Sequence, residues 1–276
     1  MAAGVASAAS FDIGRVISRL FGVLGRNLVS FVLLSVLLVG APTAVVSLIQ
    51  LSYLAPAHAG VLLGILVSPL RLTMGLGAFL VSVAANAVLQ GAIIHGTVSD
   101  LAGRRASFGE SLGAGMRLFL PLVVIGVIDA VGIFLGAILF IVPGVILALA
   151  WSVAVPARVM EQVSIAGAFG RSVELTRRHR GAIFVLALLL FATGLIVQVL
   201  ANAASGVGFG FGGAAAAMAS RPGVGFGAYM YTTATVGLVV RTAMATLGSA
   251  GVASLYFELR QVKEGVGAHE LAAVFD

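Results

Sequence analysis

Long apolar runs recur along the chain, and each is bounded by charged residues, glycine or proline. A helix crosses about 30 Å of hydrocarbon with about 20 apolar residues, because it rises about 1.5 Å per residue. Six runs have this length, and the sequence therefore predicts six membrane-spanning helices. Their approximate bounds are residues 28–48, 76–98, 118–135, 139–157, 182–203 and 236–257. The third and fourth runs are predicted to form a hairpin, since Gly136–Gly144 is too short for more than a tight turn.

The composition excludes a soluble globular protein. Of the 276 residues, 60% are hydrophobic and 9% are charged, and the mean hydropathy is +1.14, whereas charged residues make up about a quarter of a soluble domain. Six spans and their loops leave no room for a large extramembrane catalytic domain. We therefore expect one all-α, polytopic integral membrane domain over residues 1–276. The chain contains no cysteine, which excludes disulfides, thiolate metal sites and cysteine nucleophiles.

The distribution of basic residues predicts the orientation of the spans, because Lys and Arg accumulate in short cytoplasmic loops. Thirteen of the sixteen basic residues lie at the N-terminus, in the loops after spans two and four, or at the C-terminus. Only Arg71, Arg221 and Arg241 lie elsewhere. This distribution agrees with six spans and with both termini in the cytoplasm.

A similar segment precedes each odd-numbered span, at residues 10–26, 107–117 and 164–180. Each segment begins with serine, a good helix N-cap, and ends at arginine directly before an apolar run. The first segment places apolar residues on one helical face, which is typical of an amphipathic helix lying in the cytoplasmic membrane interface. Those residues are Phe11, Val16, Ile17, Leu20, Phe21 and Leu24. The pattern predicts a threefold internal repeat, with chance similarity as the alternative.

Residues 204–235 are rich in glycine and alanine, and we predict a flexible exterior loop there. The glycine series lacks the Lys-Ser/Thr pair of a phosphate-binding loop and follows no soluble strand, which argues against nucleotide binding.

The cytoplasmic arginines are candidates for binding anionic lipid head groups or a membrane-associated partner, because each is worth about 1 kcal/mol beside such a surface. The candidate residues are Arg104, Arg105, Arg171, Arg177, Arg178 and Arg180. The alternative is that these arginines only set the topology. Nucleic acid is not expected as a partner, since no aromatic-interleaved basic surface is present.

Nine of the ten acidic residues lie on the predicted cytoplasmic side, and Asp129 is the exception. It follows Arg117 by twelve residues, or about 18 Å of helix, which places it near the bilayer centre. An ionisable residue at that depth is a functional candidate, and Arg241 is its predicted partner. Asn86, Gln90 and Gln198 could complete a polar core. Such a core either conducts a proton or solute or simply joins helices by hydrogen bonds.

Three motifs in the second half of the chain resemble a known family. They are Ile141-Val-Pro-Gly-Val followed by Val155-Pro-Ala-Arg-Val-Met-Glu161, Ala168-Phe-Gly-Arg-Ser-Val-Glu-Leu175, and Leu255-Tyr-Phe-Glu-Leu-Arg-Gln-Val-Lys-Glu-Gly265. Their order is similar to that of the bacterial six-span family known as the glycerophosphoryl diester phosphodiesterase membrane domain. The resemblance implies a bacterial inner-membrane location. It implies no catalytic residues, because the family's phosphodiesterase chemistry resides in a separate barrel domain that this chain lacks.

Within the last motif, Glu258 and Arg260 are expected to pair with the basic cytoplasmic residues, and Tyr256 is expected to anchor at the membrane interface. No metal-binding or hydrolase motif is visible, and we expect neither a cofactor nor a bound metal. The prediction is a non-enzymatic integral membrane protein that organises lipids or a partner complex. The alternative is a small transporter or channel built around Asp129. Small residues in the spans permit a homo-oligomer, and the oligomeric state stays open.

Overall fold

The computed structural model describes residues 11–54, 69–204 and 224–265, and within these ranges it consists of helices joined by short turns, with no strand. The all-α prediction is confirmed. The helices, in chain order, are α1 (Ile13–Ser35), a π-helical turn (Val36–Gly40), α2 (Ala41–Leu54), α3 (Pro69–Leu101), α4 (Phe108–Arg117), α5 (Phe119–Leu139), α6 (Ile141–Trp151), α7 (Ala154–Glu161), α8 (Ile165–Thr176), α9 (Arg180–Ala204) and α10 (Val224–Glu264).

Six helical stretches among the described residues are long and apolar enough to cross a membrane, and they match the six predicted spans. Their bounds are Ile13–Val46, Thr73–Leu101, Phe119–Leu139, Ile141–Glu161, Arg180–Ala203 and Ala234–Glu264. Many large apolar side chains on them are exposed, including Phe191 at 70% and Ile141 at 77%. A soluble monomer rarely exposes so much contiguous apolar surface, whereas lipid covers it at no cost. The protein is therefore a multi-pass integral membrane protein.

The first span departs from a regular helix at two places. Asn27 has non-helical backbone angles (φ −116°, ψ 16°), so the predicted interfacial helix and the span meet there within one continuous stretch. The π-helical turn ends directly before Ala41 and Pro42. Proline lacks the N–H that a helical hydrogen bond needs, and a local change of helix type accommodates the loss. The irregularity next to Pro42 therefore takes the form of a π-helical turn.

The fourth span is broken at Ser152 and Val153, between α6 and α7. The break leaves backbone groups without helical partners, and two hydroxyl groups of α8 bind them. Ser172 Oγ accepts a hydrogen bond from the Val153 N–H at 3.2 Å and donates one to the Ala150 carbonyl at 2.8 Å. Thr176 Oγ1 also donates to the Ala150 carbonyl, at 3.3 Å. The fourth span is present as predicted, but it contains a break that side chains from a distant segment stabilise.

The hairpin predicted for spans three and four is confirmed, with Phe140 as the single non-helical residue between α5 and α6. Its helices approach closely because glycines face the partner helix. A Cβ atom on Gly136 would lie 3.1 Å from Gly144 Cα, and one on Gly132 would lie 2.3 Å from the Trp151 ring. Glycines spaced by four residues allow this kind of close packing between membrane helices.

Two of the three predicted interfacial segments begin as expected. Ser107 and Ser164 cap α4 and α8, each accepting a backbone hydrogen bond on its side chain. In the first segment Ser10 lies outside the described residues, and Asp12 accepts a hydrogen bond from the Gly14 N–H at 2.7 Å. On this helix Val16 and Leu20 are buried, whereas Phe21 is exposed. The threefold repeat itself stays a prediction.

The predicted exterior loop 204–235 was too long, because α10 already begins at Val224. Residues 205–223 lie outside the described residues. By its contacts the chain divides into two compact units. The first unit comprises Met1–Val32, Ala87–Leu189 and Thr246–Asp276, and the second comprises Leu33–Asn86 and Leu190–Ala245. The prediction of one integral domain is not tested by this division, since α3, α9 and α10 each run from one unit into the other.

Candidate functional site

The loop between α3 and α4 brings basic residues to the start of a capped helix. Gly103 has a positive φ of 80°, a conformation that glycine adopts without strain, and it reverses the chain after α3. Ser107 and Glu110 then form a capping box, in which the Ser107 N–H donates to Glu110 Oε2 at 2.7 Å and the Glu110 N–H donates to Ser107 Oγ at 3.2 Å. These hydrogen bonds hold the pKa of Glu110 below its usual range. The Glu110 carboxylate is therefore charged, and it accepts a hydrogen bond at the N-terminus of α4.

An open cleft of about 490 Å³ lies beside this loop, within the first unit. Three arginines line it, two from the loop and one from the last turn of α4. The polar and charged residues of its lining are His95, Ser99, Arg104, Arg105, Glu110 and Arg117. Gly109 and Gly113 also line it, and a Cβ atom on either glycine would meet no atom within 4 Å. The cleft therefore has space for a group larger than water above a strongly basic surface.

Close helix packing holds the cleft in place. A Cβ atom on Gly115 would lie 2.3 Å from the Val88 carbonyl oxygen, and one on Gly91 would lie 3.0 Å from Gly115 Cα. Glycine at both positions lets α4 lie directly against the backbone of α3. The position of Arg117, two residues further along α4, depends on this contact.

Two arginines of α1 are paired with a buried carboxylate of α10. Glu258 is 1% exposed, and its carboxylate accepts hydrogen bonds from Arg15 Nη2 and Arg19 Nη1, each at 2.7 Å. Arg19 also lies over the Phe257 ring, with its guanidinium carbon 4.9 Å from the ring centre. The expected pairing of Glu258 with basic residues is confirmed. A buried carboxylate held by two guanidinium groups is a structural pair, since neither arginine is left to bind a ligand.

A second charged network joins the three motifs on which the family resemblance rests. Arg171 Nε donates to both oxygens of Glu161 at 2.9 Å, and its other nitrogens bind Glu174 and Glu264. Tyr256 is fully buried and donates its hydroxyl hydrogen to Glu161 Oε1 at 2.7 Å. The expectation that Tyr256 anchors at the membrane interface was therefore wrong. Its ring packs inside the protein because Glu161 supplies the hydrogen-bond partner that a buried hydroxyl requires.

The six arginines predicted to bind lipid or a partner have different surroundings. Arg104 and Arg105 line the cleft. Arg177 and Arg178 are exposed after α8, and Arg180 begins α9 half-buried. The guanidinium group of Arg171 is bound by carboxylates of the protein itself.

The residues of the predicted polar core divide between the two units. Asp129 and Gln90 belong to the first unit, whereas Asn86, Gln198 and Arg241 belong to the second. The pairing of Asp129 with Arg241 stays a prediction. Asp129 Oδ1 is buried and accepts no hydrogen bond from the described residues.

Asn86 and Gln198 each have a partner on their own helix. Asn86 Nδ2 donates to the Ser82 carbonyl at 2.8 Å, and Gln198 Nε2 donates to Asn202 Oδ1 at 3.0 Å. These hydrogen bonds lie within one helix and do not join two helices, so both interpretations of the core stay predictions.

Sequence reasoning used Arg117 only to orient the spans and missed it as a site residue. A signal was available, because Gly109, Gly113 and Arg117 are spaced by four residues and so share one face of α4. That face of α4 has two glycines, followed by the long cationic side chain of Arg117. Comparison with protein-family models, with curated proteins and with solved structures finds no match to this chain.

Proposed function

We propose that the protein is a non-enzymatic component of the bacterial inner membrane that organises anionic lipids, or a lipid-bound partner, at its cytoplasmic face. Both termini are then cytoplasmic. The observation that carries this proposal is the cleft lined by Arg104, Arg105 and Arg117. Guanidinium groups bind phosphate oxygens through paired hydrogen bonds, and a lipid head group presents such a phosphate at the membrane surface.

The charges around the cleft support this proposal. Glu258, Asp100 and Glu161 are each paired with arginines that lie outside the cleft. Glu110, the one acid in the cleft lining, is held by the cap of α4. The cleft therefore has an excess of positive charge, and an anionic ligand would neutralise it.

The resemblance to the six-span membrane-domain family belongs to the same proposal. It supports a membrane module without phosphodiesterase chemistry. The three motifs that carry it meet in the network around Glu161, Arg171 and Tyr256, where they join α7, α8 and α10. We assign that network the role of holding the cytoplasmic end of the first unit together.

Native mass spectrometry of the purified full chain tests the proposal, with phosphatidylglycerol and phosphatidylcholine as the lipid probes. The double variant Arg105→Gln/Arg117→Gln should weaken binding of phosphatidylglycerol by about tenfold or more, because charge-assisted hydrogen bonds are lost. The charge-matched control is Arg71→Gln/Arg221→Gln, which removes two arginines predicted to lie outside the cytoplasm.

An uncharged variant separates the cleft from the general charge of the protein. Gly113→Leu places a side chain in open cleft space while leaving every arginine in place. It should weaken phosphatidylglycerol binding as well. Equal binding by wild type, the arginine variant and Gly113→Leu would contradict the proposal.

A transporter or channel around Asp129 is the second candidate function. The observation that favours it is the buried Asp129 Oδ1, which accepts no hydrogen bond among the described residues. Asp129→Asn should abolish proton-coupled flux in vesicles if the carboxylate carries protons, while leaving lipid binding at the cleft unchanged. Unchanged flux in that variant, or no flux in wild type, would remove this candidate.

A further inference from the structure

The second unit contains positive charge without any acidic residue. The sequence of residues 33–86 and 190–245 includes Arg71, Arg221 and Arg241 but neither aspartate nor glutamate. Within this unit, no side chain can therefore neutralise an arginine. Any counter-charge for these arginines therefore comes from outside the unit.

Arg241, which is exposed, lines a half-open cavity of about 270 Å³ that is formed by residues of the second unit. The hydroxyl-bearing residues Thr43 and Ser82 line the same cavity, together with Pro42 and apolar side chains of α2 and α3. A water molecule occupies about 30 Å³ in the liquid, so the cavity has space for a phosphate group or for several waters. The cavity therefore combines one guanidinium group with two hydroxyl groups, which are all hydrogen-bond donors to anionic oxygens.

The backbone next to the cavity is irregular. The π-helical turn Val36–Gly40 ends just before Pro42 and Thr43, which belong to the cavity wall. Such turns within α-helices occur frequently at functional sites, because they redirect side chains and free backbone groups.

We propose that this cavity binds an anionic phosphate group, with Arg241 as the principal ligand and Thr43 and Ser82 as hydroxyl donors. The phosphate belongs either to a phospholipid or to a soluble phosphate compound, since both present the same oxygens. The site is separate from the cleft at Arg104, Arg105 and Arg117, and it does not depend on the function proposed for that cleft.

The experiment uses the full chain with the substitutions Arg105→Gln/Arg117→Gln, so that binding at the cleft is reduced. Native mass spectrometry with dioleoyl-phosphatidylglycerol, and thermal unfolding with inorganic phosphate, distinguish the two sources. Dioleoylglycerol, which lacks phosphate, is the probe for apolar binding alone. Adding Arg241→Gln should weaken phosphate or phosphatidylglycerol binding by about tenfold or more. Arg71→Gln removes one charge from the same unit and should leave binding unchanged.

A second variant keeps the proposal testable if Arg241→Gln does not fold. Thr43→Val/Ser82→Ala keeps the arginine, removes both hydroxyl groups and should weaken binding by about fivefold or more. Binding of phosphatidylglycerol alone identifies a lipid site, and stabilisation by inorganic phosphate alone identifies a soluble ligand. Either result supports the anion site.

Three results would overturn the proposal. The first is equal binding by the parent chain and its Arg241→Gln derivative. The second is equal binding of dioleoylglycerol and phosphatidylglycerol. The third is an Asp129→Asn variant that lowers the melting temperature as much as Arg241→Gln, with no further loss in the double variant. That third result would identify Asp129 as the counter-charge and would leave no role for a ligand.

Discussion

The two compact units of the chain differ in how their arginines are neutralised. The sequence ranges of the first unit contain all ten acidic residues, and buried carboxylates such as Glu258 lie against arginines of distant segments. The ranges of the second unit contain three arginines and no acid. Some arginines of the first unit, such as Arg15 and Arg19, therefore hold segments of the protein together by ion pairs. Arg241 in the second unit lines a cavity instead, and its counter-charge has to come from elsewhere.

Removing a buried carboxylate from the first unit is the change with the largest expected effect. Glu258→Gln leaves Arg15 and Arg19 facing a buried site without a negative charge. Removing one partner of a fully buried pair costs about 3–5 kcal/mol of unfolding free energy. The loss here is smaller than that, because water reaches the side chains of Arg15 and Arg19, which are 41% and 22% exposed. The measurement is denaturant unfolding of the purified protein in detergent, with the melting temperature as a second readout.

Two controls sharpen this result. Glu174→Gln removes a carboxylate whose side chain is 64% exposed, and an exposed pair is worth less than about 1 kcal/mol. Arg241→Gln in the second unit should also cost less than Glu258→Gln. Equal losses of unfolding free energy for Glu258→Gln and Glu174→Gln would mean that the buried ion pairs stabilise the first unit no more than the exposed ones do.

Separating α4 from α3 is expected to have an intermediate effect. Gly115→Ala introduces a Cβ atom 2.3 Å from the Val88 carbonyl oxygen, so the helices must move apart. Overpacking of this kind costs about 1–3 kcal/mol. Phosphatidylglycerol binding should fall in the same variant, because Arg117 moves with α4. Unfolding and native mass spectrometry measure the two effects.

The matched control for this substitution is Gly113→Ala in the same helix. A Cβ atom there meets nothing within 4 Å, and alanine favours a helix over glycine by about 0.5–1 kcal/mol. The control should therefore be as stable as wild type or slightly more stable. A Gly115→Ala protein that matches it would show that the close contact between α3 and α4 is absent.

The smallest expected effect is a pH dependence at His179, which stacks on Phe11 with ring centres 5.3 Å apart. Burial, together with the positive charges of Lys263 and Arg178, lowers the pKa of His179. The folded protein then binds fewer protons than the unfolded chain, so stability falls as the pH drops below the unfolded value near 6.5.

His179→Gln removes this titration. Between about pH 7.5 and pH 5.5, the melting temperature of wild type should fall slightly more than that of the variant. Parallel melting curves across this range would contradict the expected shift.

Much of the fold could be predicted from the sequence, because span length and hydropathy report directly on the thickness of the bilayer. The six spans, the hairpin and the caps at Ser107 and Ser164 are examples. The break between α6 and α7 could not be predicted, since Ser172 and Thr176 stabilise it from about twenty residues away. The burial of Tyr256 was missed for the same reason, because its partner Glu161 lies on another helix.

The candidate sites were only partly predictable. Arg104 and Arg105 line the cleft, and their role in binding lipid or a partner stays a prediction. The same charge argument selected Arg171, which is bound by carboxylates of the protein. Counting positive charges says where arginines concentrate along the chain. It does not say which carboxylates fold back onto them.

The sequence by itself determined the class of protein, the number of spans and the segregation of acidic residues away from residues 33–86 and 190–245. These properties follow from composition and helical rise, which are local. Only the tertiary structure decided which arginines are neutralised by the protein and which line open space. That decision depends on contacts between residues more than two hundred positions apart, such as Arg15 and Glu258, and no local pattern encodes such a contact.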